Sequence, residues 1–196
     1  MATSVEHIKV LNVVEKPSVA KMLVRILSNQ DVKELNQSYT FDYQIVDDGT
    51  DAGTVFQMVV TSVKGHLKDM TFLSNVRSFK SYELIELFDV NVDKVPKLES
   101  QKSTIGHLRR VVEVCKRLYL LLYCDLEGES IAKEVVEVCQ EVNSDLLIRS
   151  ARFSSLHKSD IKAAFRDAGQ INHRFSDAAD FRRVSTTNQK FGFSFL

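Results

Sequence analysis

Ile8 to Val14 is mostly β-branched and apolar, with Lys9 and Asn12 as its polar positions, the pattern of a strand. Glu15, Lys16, Pro17 and Ser18 interrupt it, and Val19, Ala20, Leu23, Ile26 and Leu27 then recur at helical spacing. Pro17 suits the first turn of that helix, where its missing N–H is no loss. Residues 29 to 54 are polar and turn-rich, with breakers at Asp47, Asp48, Gly49 and at Asp51, Ala52, Gly53 around a short strand, Tyr43 to Val46. Phe56 to Val63 predicts another strand, closed by Gly65, His66 and Leu67, and Leu84 to Val92 a further one.

Pro96 to Gly106 reads as a linker into a helix through Leu108, Val111, Val112, Val114 and Cys115. Leu118 to Cys124 has the uninterrupted apolar character of a central parallel strand. An acidic loop follows, Asp125 to Ser130, and then a helix carrying Ile131, Ala132, Val135, Val136, Val138 and Cys139. Asp145 to Ser150 predicts a short strand and Lys158 to Ala168 a helix. Strands alternating with helices imply an α/β fold with a mainly parallel sheet.

The length, 196 residues, and 44% apolar content suit one domain of ordinary size, with room for a helical extension. The longest apolar run is too short to cross a bilayer, and no cationic segment followed by an apolar one marks the N-terminus for secretion. A cytosolic or nuclear setting is expected. Cys115, Cys124 and Cys139 lack paired spacing, so each is expected to pack as a small hydrophobe. The 26 basic and 26 acidic residues cancel overall but not locally. Residues 149 to 190 hold nine Lys or Arg against four Asp, a bias that fits either a solvated helical face or a polyanion-binding one.

Chemistry in open parallel sheets collects beyond the carboxyl ends of the strands. Glu15 follows the first strand, and Asp125, Glu127 and Glu129 follow the most apolar one. Two readings fit the spacing. Converging carboxylates require a divalent cation to offset their repulsion, whereas acids after a strand also populate helix N-termini, where the dipole favours them.

Five ordered segments resemble type IA DNA topoisomerases, in particular the eukaryotic topoisomerase III branch. They are Glu15 to Lys21, Val60 to Leu67, Cys124 to Ala132, Ala151 to Leu156, and Ser176 to Asp180. The resemblance implies a Toprim-type α/β domain over residues 1–150, flanked by helices, with a basic helical C-terminal extension at 151–196 that starts the next domain. It implies that Glu15 assists proton transfer near the scissile phosphate, that Lys16 lies near that phosphate, and that Asp125 and Glu127, helped by Glu129, hold Mg²⁺. Arg152 matches an arginine near the family's DNA path, and the basic segment adds Lys158 and Lys162. The implied partners are single-stranded DNA, a RecQ-type helicase and an OB-fold accessory protein, in recombination and repair in the nucleus.

Departures from the pattern change the expectation. Tyr123 stands where the family carries its first metal-site aspartate, and Leu126 where it carries an arginine. A neutral phenol is a poor Mg²⁺ ligand, so metal binding is expected to be weak or lost. Phe79, Tyr82 and Leu84 replace a tryptophan, a cysteine and a proline ahead of Leu87 and Phe88, and the match ends at Arg182. No segment matches the one that carries the family's nucleophilic tyrosine. Whether the chain itself is catalytic therefore stays open at this level. A part of a strand-cutting enzyme and a non-catalytic DNA- or partner-binding module are both compatible with it.

Overall fold

The computed structural model describes residues 7–28, 31–35, 38–44, 54–72, 92–153 and 155–190. The breakers between residues 47 and 53, the substituted positions Phe79 to Phe88 and all but the last residue of the strand expected at Leu84 to Val92 lie outside them.

The chain runs β1 (His7–Val14), α1 (Pro17–Leu27), β2 (Lys33–Leu35), β3 (Ser38–Gln44), β4 (Val55–Ser62), β5 (Asp69–Phe72), β6 (Val92–Val95) and α2 (Glu99–Val112). It continues through β7 (Arg117–Leu121), α3 (Leu126–Gln140), β8 (Leu147–Ser150), α4 (Lys158–Arg166) and α5 (His173–Lys190). Six strands form one sheet in the order β2-β3-β4-β1-β7-β8, and β5 pairs with β6 separately. β4, β1, β7 and β8 are parallel, while β3 pairs antiparallel with β4 and with β2. The sheet is thus mixed and mostly parallel, flanked by helices, the α/β architecture expected.

Register explains why the first strand is buried from Val10 to Val14 and apolar there except at Asn12. β1 is flanked by β4, with Val14 opposite Ser62, and by β7, with Val14 opposite Leu121. Leu11 and Val13 face a core with Leu118 and Leu120 of β7, Leu108 and Val112 of α2, and Ile131 and Val135 of α3. Val10 and Val14 face a second core with Leu23 and Leu27 of α1, Phe56 and Met58 of β4, and Ile161 and Phe165 of α4. Each fully buried Val or Leu contributes roughly 1.5–3 kcal/mol before the entropy of ordering is subtracted, so a polar residue at either set of positions would uncouple a helix layer.

Four local expectations are corrected. Residues 99–106 are helical, not a linker: Gln101 Oε1 accepts from the backbone N–H of Lys97 (2.9 Å) and Leu98 (3.0 Å), which satisfies donors at a helix start that has no Ser, Thr or Asp cap. The strand expected from Tyr43 begins at Ser38 instead, as β3, because Tyr39, Phe41 and Tyr43 alternate toward the α1 core. The acidic segment after β7 is not a loop, since α3 starts at Leu126 with Asp125 as its N-cap. Cys124 is exposed, unlike Cys115 and Cys139, because β7 ends three residues before it. The positive φ of Gly65 (99°) and of Lys64 (58°) does match the tight turn expected after β4.

α2 is also tied to the sheet by polar contacts. His107 Nε2 lies 2.7 Å from Ser38 Oγ and 3.2 Å from Thr61 Oγ1, and burial, helped by the Arg110 charge, lowers its pKa. α5 lies along α3, pinned by Lys133 to Asp177 (2.8 Å), Ser130 to Asp180 (3.0 Å) and Lys94 to Asp180 (2.6 Å).

Candidate functional site

Because β1 and β7 are adjacent and parallel, their carboxyl ends deliver Glu15 and Asp125 to the same edge of the sheet. The exit of β4 is held there too, with Val63 N–H bonded to Val14 O (3.1 Å) and Lys64 N–H to Glu15 O (2.8 Å), which brings His66 to that edge. Burial, with the neighbouring charges of Asp125 and Glu127, raises the pKa of Glu15 against the pull of Lys16 and His66. Lys16 is exposed at the N-cap of α1, and its Nζ stands 5.1 Å from the centre of the Tyr123 ring, a cation–π distance. Tyr123 itself is half exposed (49%).

The acids after β7 divide by role. Asp125 Oδ1 accepts from Gly128 N–H (2.7 Å), closing the first turn of α3. Glu127 is exposed, and its Oε1 meets His66 Nε2 at 2.5 Å. Glu129 is buried, with Oε1 on Arg152 Nη2 (2.9 Å) and Oε2 on Asn172 N–H (2.9 Å). The structure therefore brings Lys16, Asp125, Glu127 and His66 into electrostatic range of Glu15 and engages both oxygens of Glu129 elsewhere. Asp125 caps a helix, as the helix-terminus reading expects, while Glu15 and Glu127 lie at the strand ends.

Arg152 is half exposed although bound to Glu129. Lys158 and Lys162 are exposed on α4, and Arg166 continues the same i, i+4, i+8 row, opposite the buried Ile161, Ala164 and Phe165.

A second group was not legible in the motifs. Glu134, on α3, is fully buried, and its carboxylate accepts from Arg183 Nη1 (2.8 Å) and from the backbone N–H of Leu67 (2.8 Å) and Lys68 (3.3 Å). His66 Nδ1 lies 3.0 Å from it, and Arg183 Nη2 donates to Lys68 O at 2.8 Å. Burial opposes the Glu134 charge, but His66 and Arg183 outweigh it and hold its pKa down at about 2. Burial likewise opposes charge on His66, yet the bond and charge of Glu134, offset by Arg183 and helped by Glu127, leave its pKa raised. His66 thus links the buried hub to the exposed acid Glu127. The sequence signal was a charge on a core stripe, Glu134 lying three residues after Ile131 and four before Val138.

The Toprim domain family matches residues 10–156, three quarters of the chain. The chain belongs to the Toprim family. It is similar to DNA topoisomerase 3-alpha of Arabidopsis thaliana, 38% identical over 183 residues that cover 90% of this chain and 19% of that protein. It is 34% identical over 181 residues to DNA topoisomerase 3 of Dictyostelium discoideum, covering 89% of this chain and 21% of that one. With DNA topoisomerase 3-alpha of Homo sapiens the identity is 32% over 181 residues, 89% of this chain and 17% of the relative. The chain thus spans 17–21% of the length of these relatives and covers their Toprim part.

Toprim domains generally bind Mg²⁺, and the donor set can be tested against that ion. Among the described residues, no group of three or more His, Cys, Asp or Glu side chains is gathered closely enough to hold a metal. Asp125 and Glu127 each commit one oxygen within the protein, and Glu129 commits both. An octahedral Mg²⁺ site needs near-ideal geometry, and this arrangement does not supply it.

Proposed function

We propose that the chain acts on DNA as the Toprim part of a topoisomerase III-like activity, in which a single strand is cut, passed and rejoined. The observation that carries this reading is the meeting of Glu15, Lys16, Asp125 and Glu127 at the ends of two neighbouring parallel strands, in a chain 38% identical to a DNA topoisomerase 3-alpha. In this reading Glu15 exchanges a proton with the sugar oxygen of the cut strand. Its raised pKa brings it closer to the neutral range in which a carboxyl group both gives and takes a proton. Lys16 meets the phosphate, and Arg152, Lys158 and Lys162 follow the backbone of single-stranded DNA. Residues 151–196 are read as the start of the following domain, and the setting as nuclear, with a RecQ-type helicase and an OB-fold protein as partners. No helix among the described residues is long and apolar enough to cross a membrane.

The α4 row gives the test. Binding to single-stranded oligonucleotides is expected to be salt-sensitive, and each phosphate contact removed should flatten the slope of log affinity against log salt by about 0.7. Arg152→Ala with Lys162→Ala should lower it by about 1.4. A slope near zero, or one unchanged in the double variant, refutes the DNA-binding face.

A second reading, a non-catalytic binding module whose Mg²⁺ site has weakened, is favoured by Tyr123 and Leu126. Tyr123 is half exposed, so an aspartate is tolerated there without burying a charge. Tyr123→Asp with Leu126→Arg is expected to tighten Mg²⁺ binding at least about tenfold by calorimetric titration, the lower bound for loss of even an outer-shell partner. Equal affinity in two folded proteins would show that position 123 is no ligand position, and the binding-module reading would then lead.

A further inference from the structure

A cavity of about 440 Å³ opens beside Glu15, within the roughly 300–1,000 Å³ of small-molecule sites. Its walls are mostly apolar: Val19 from α1, Leu121 at the end of β7 with Leu122 just past it, Leu156 and the aromatic residues Tyr123 and Phe153, with Ser155 as a polar neighbour. Leu121 and Leu122 are 1% and 7% exposed, so these strand-end side chains are fixed by the core. The Glu15 carboxyl group is the acid on the lining, and the Lys16 ammonium stands over the Tyr123 ring next to it.

We propose that this cavity receives one unstacked nucleobase bearing an exocyclic amine, cytosine, adenine or guanine but not thymine, with Tyr123 and Phe153 offering stacking faces and Glu15 accepting the amine hydrogen. Three features select that occupant. Two aromatic walls suit a planar π-system better than an aliphatic chain, and stacking on such rings accepts any base. A carboxylate accepts from the amine of cytosine or adenine, whereas thymine presents a carbonyl oxygen at the equivalent position and meets repulsion. The charges are complementary as well, since the Lys16 ammonium beside Tyr123 offers a cation near the cavity for a nucleotide's phosphate. The proposal rests on the DNA reading above and deepens it, because it puts base selectivity beside the residue assigned to proton transfer.

The test uses the full chain, labelled with ¹⁵N, titrated with free deoxycytidine and, separately, with thymidine. Deoxycytidine is expected to shift the amides of residues 19, 121 to 123 and 153 and to bind at least about fivefold tighter than thymidine, the weak end of discrimination by one base-edge contact. Val19→Phe, which fills the cavity, should abolish the shifts. Glu15→Gln should keep binding and erase the preference, because an amide both donates and accepts. Phe153→Leu, which keeps an apolar filler but removes a stacking face, should weaken both nucleosides. Equal affinity for the two nucleosides, or shifts that survive in folded Val19→Phe protein, overturns the cavity assignment. Oligonucleotide binding run in parallel separates the two ideas. Salt-sensitive binding without nucleoside preference retires the cavity and keeps the DNA reading, while nucleoside preference without oligonucleotide binding does the reverse.

Discussion

Glu134→Ala is expected to cost roughly 3–5 kcal/mol of folding stability, the range for removing one partner of a buried ion pair. The wild-type carboxylate is fully buried and collects Arg183, His66 and two backbone N–H groups. Truncation takes the carboxylate away from the Arg183 guanidinium, which also meets His66 and the Lys68 carbonyl, and strands the N–H groups of Leu67 and Lys68. Native domains hold only about 5–15 kcal/mol in total, so a large part of the cooperative transition is at stake. Urea denaturation followed by far-UV circular dichroism measures it. A loss below about 1 kcal/mol would mean that the hub is solvated like a surface pair.

The same carboxylate predicts an acid dependence. Its folded-state pKa, about 2, lies below the ordinary 4.5. A group depressed in this way contributes stability that is complete above its unfolded-state value and is lost as pH falls toward the folded-state one. The wild type is therefore expected to lose stability between about pH 4.5 and 2 and Glu134→Gln to lose less over that interval.

How far the sequence could be read follows from what each feature depends on. β1 and β7 were legible because strands buried on both faces are mostly apolar, as Leu118 to Leu121 are and as Val10 to Val14 are except at Asn12. The meeting of Glu15 with Asp125 and Glu127 was legible once those strands were taken as parallel neighbours. The start of α2 was not, because its cap is a glutamine inside the helix rather than a Ser, Thr or Asp before it. Nor was the partner of Arg183, a residue just past the end of the family match at Arg182. The contact spans 49 positions and two helices, and only their packing creates it. Glu129 shows the limit from the other side: its place beside Asp125 and Glu127 suggests a third ligand, yet a helical turn aims it at Arg152 and Asn172.

Gly128 and Gly106 are expected to respond to alanine with opposite signs. Gly128 falls in the segment expected as an acidic loop, but it occupies the first turn of α3, where helical backbone suits any residue and alanine gains about 1 kcal/mol in intrinsic preference. What forbids the side chain is proximity. A Cβ there would sit 2.0 Å from the carbonyl oxygen of Tyr123 and 2.9 Å from its carbonyl carbon. Both are backbone atoms at the end of β7, so no rotamer change relieves the contact. Either α3 lifts or the strand end moves, at a cost of about 1–3 kcal/mol or more for overpacking, which exceeds the propensity gain. A Cβ on Gly106, by contrast, meets only the end of the flexible Arg110 side chain at 3.7 Å. Gly106→Ala should therefore stabilise α2 by about 0.5–1 kcal/mol. Melting of the two single variants decides the matter, and stabilisation by both would mean that α3 and the Tyr123 backbone are not in contact. Because Asp125 and Glu127 belong to the same turn, the displacement in Gly128→Ala should also reach the Glu127–His66 contact. A shift in the His66 ring resonances, absent from Gly106→Ala, separates a moved site from a loss of stability alone.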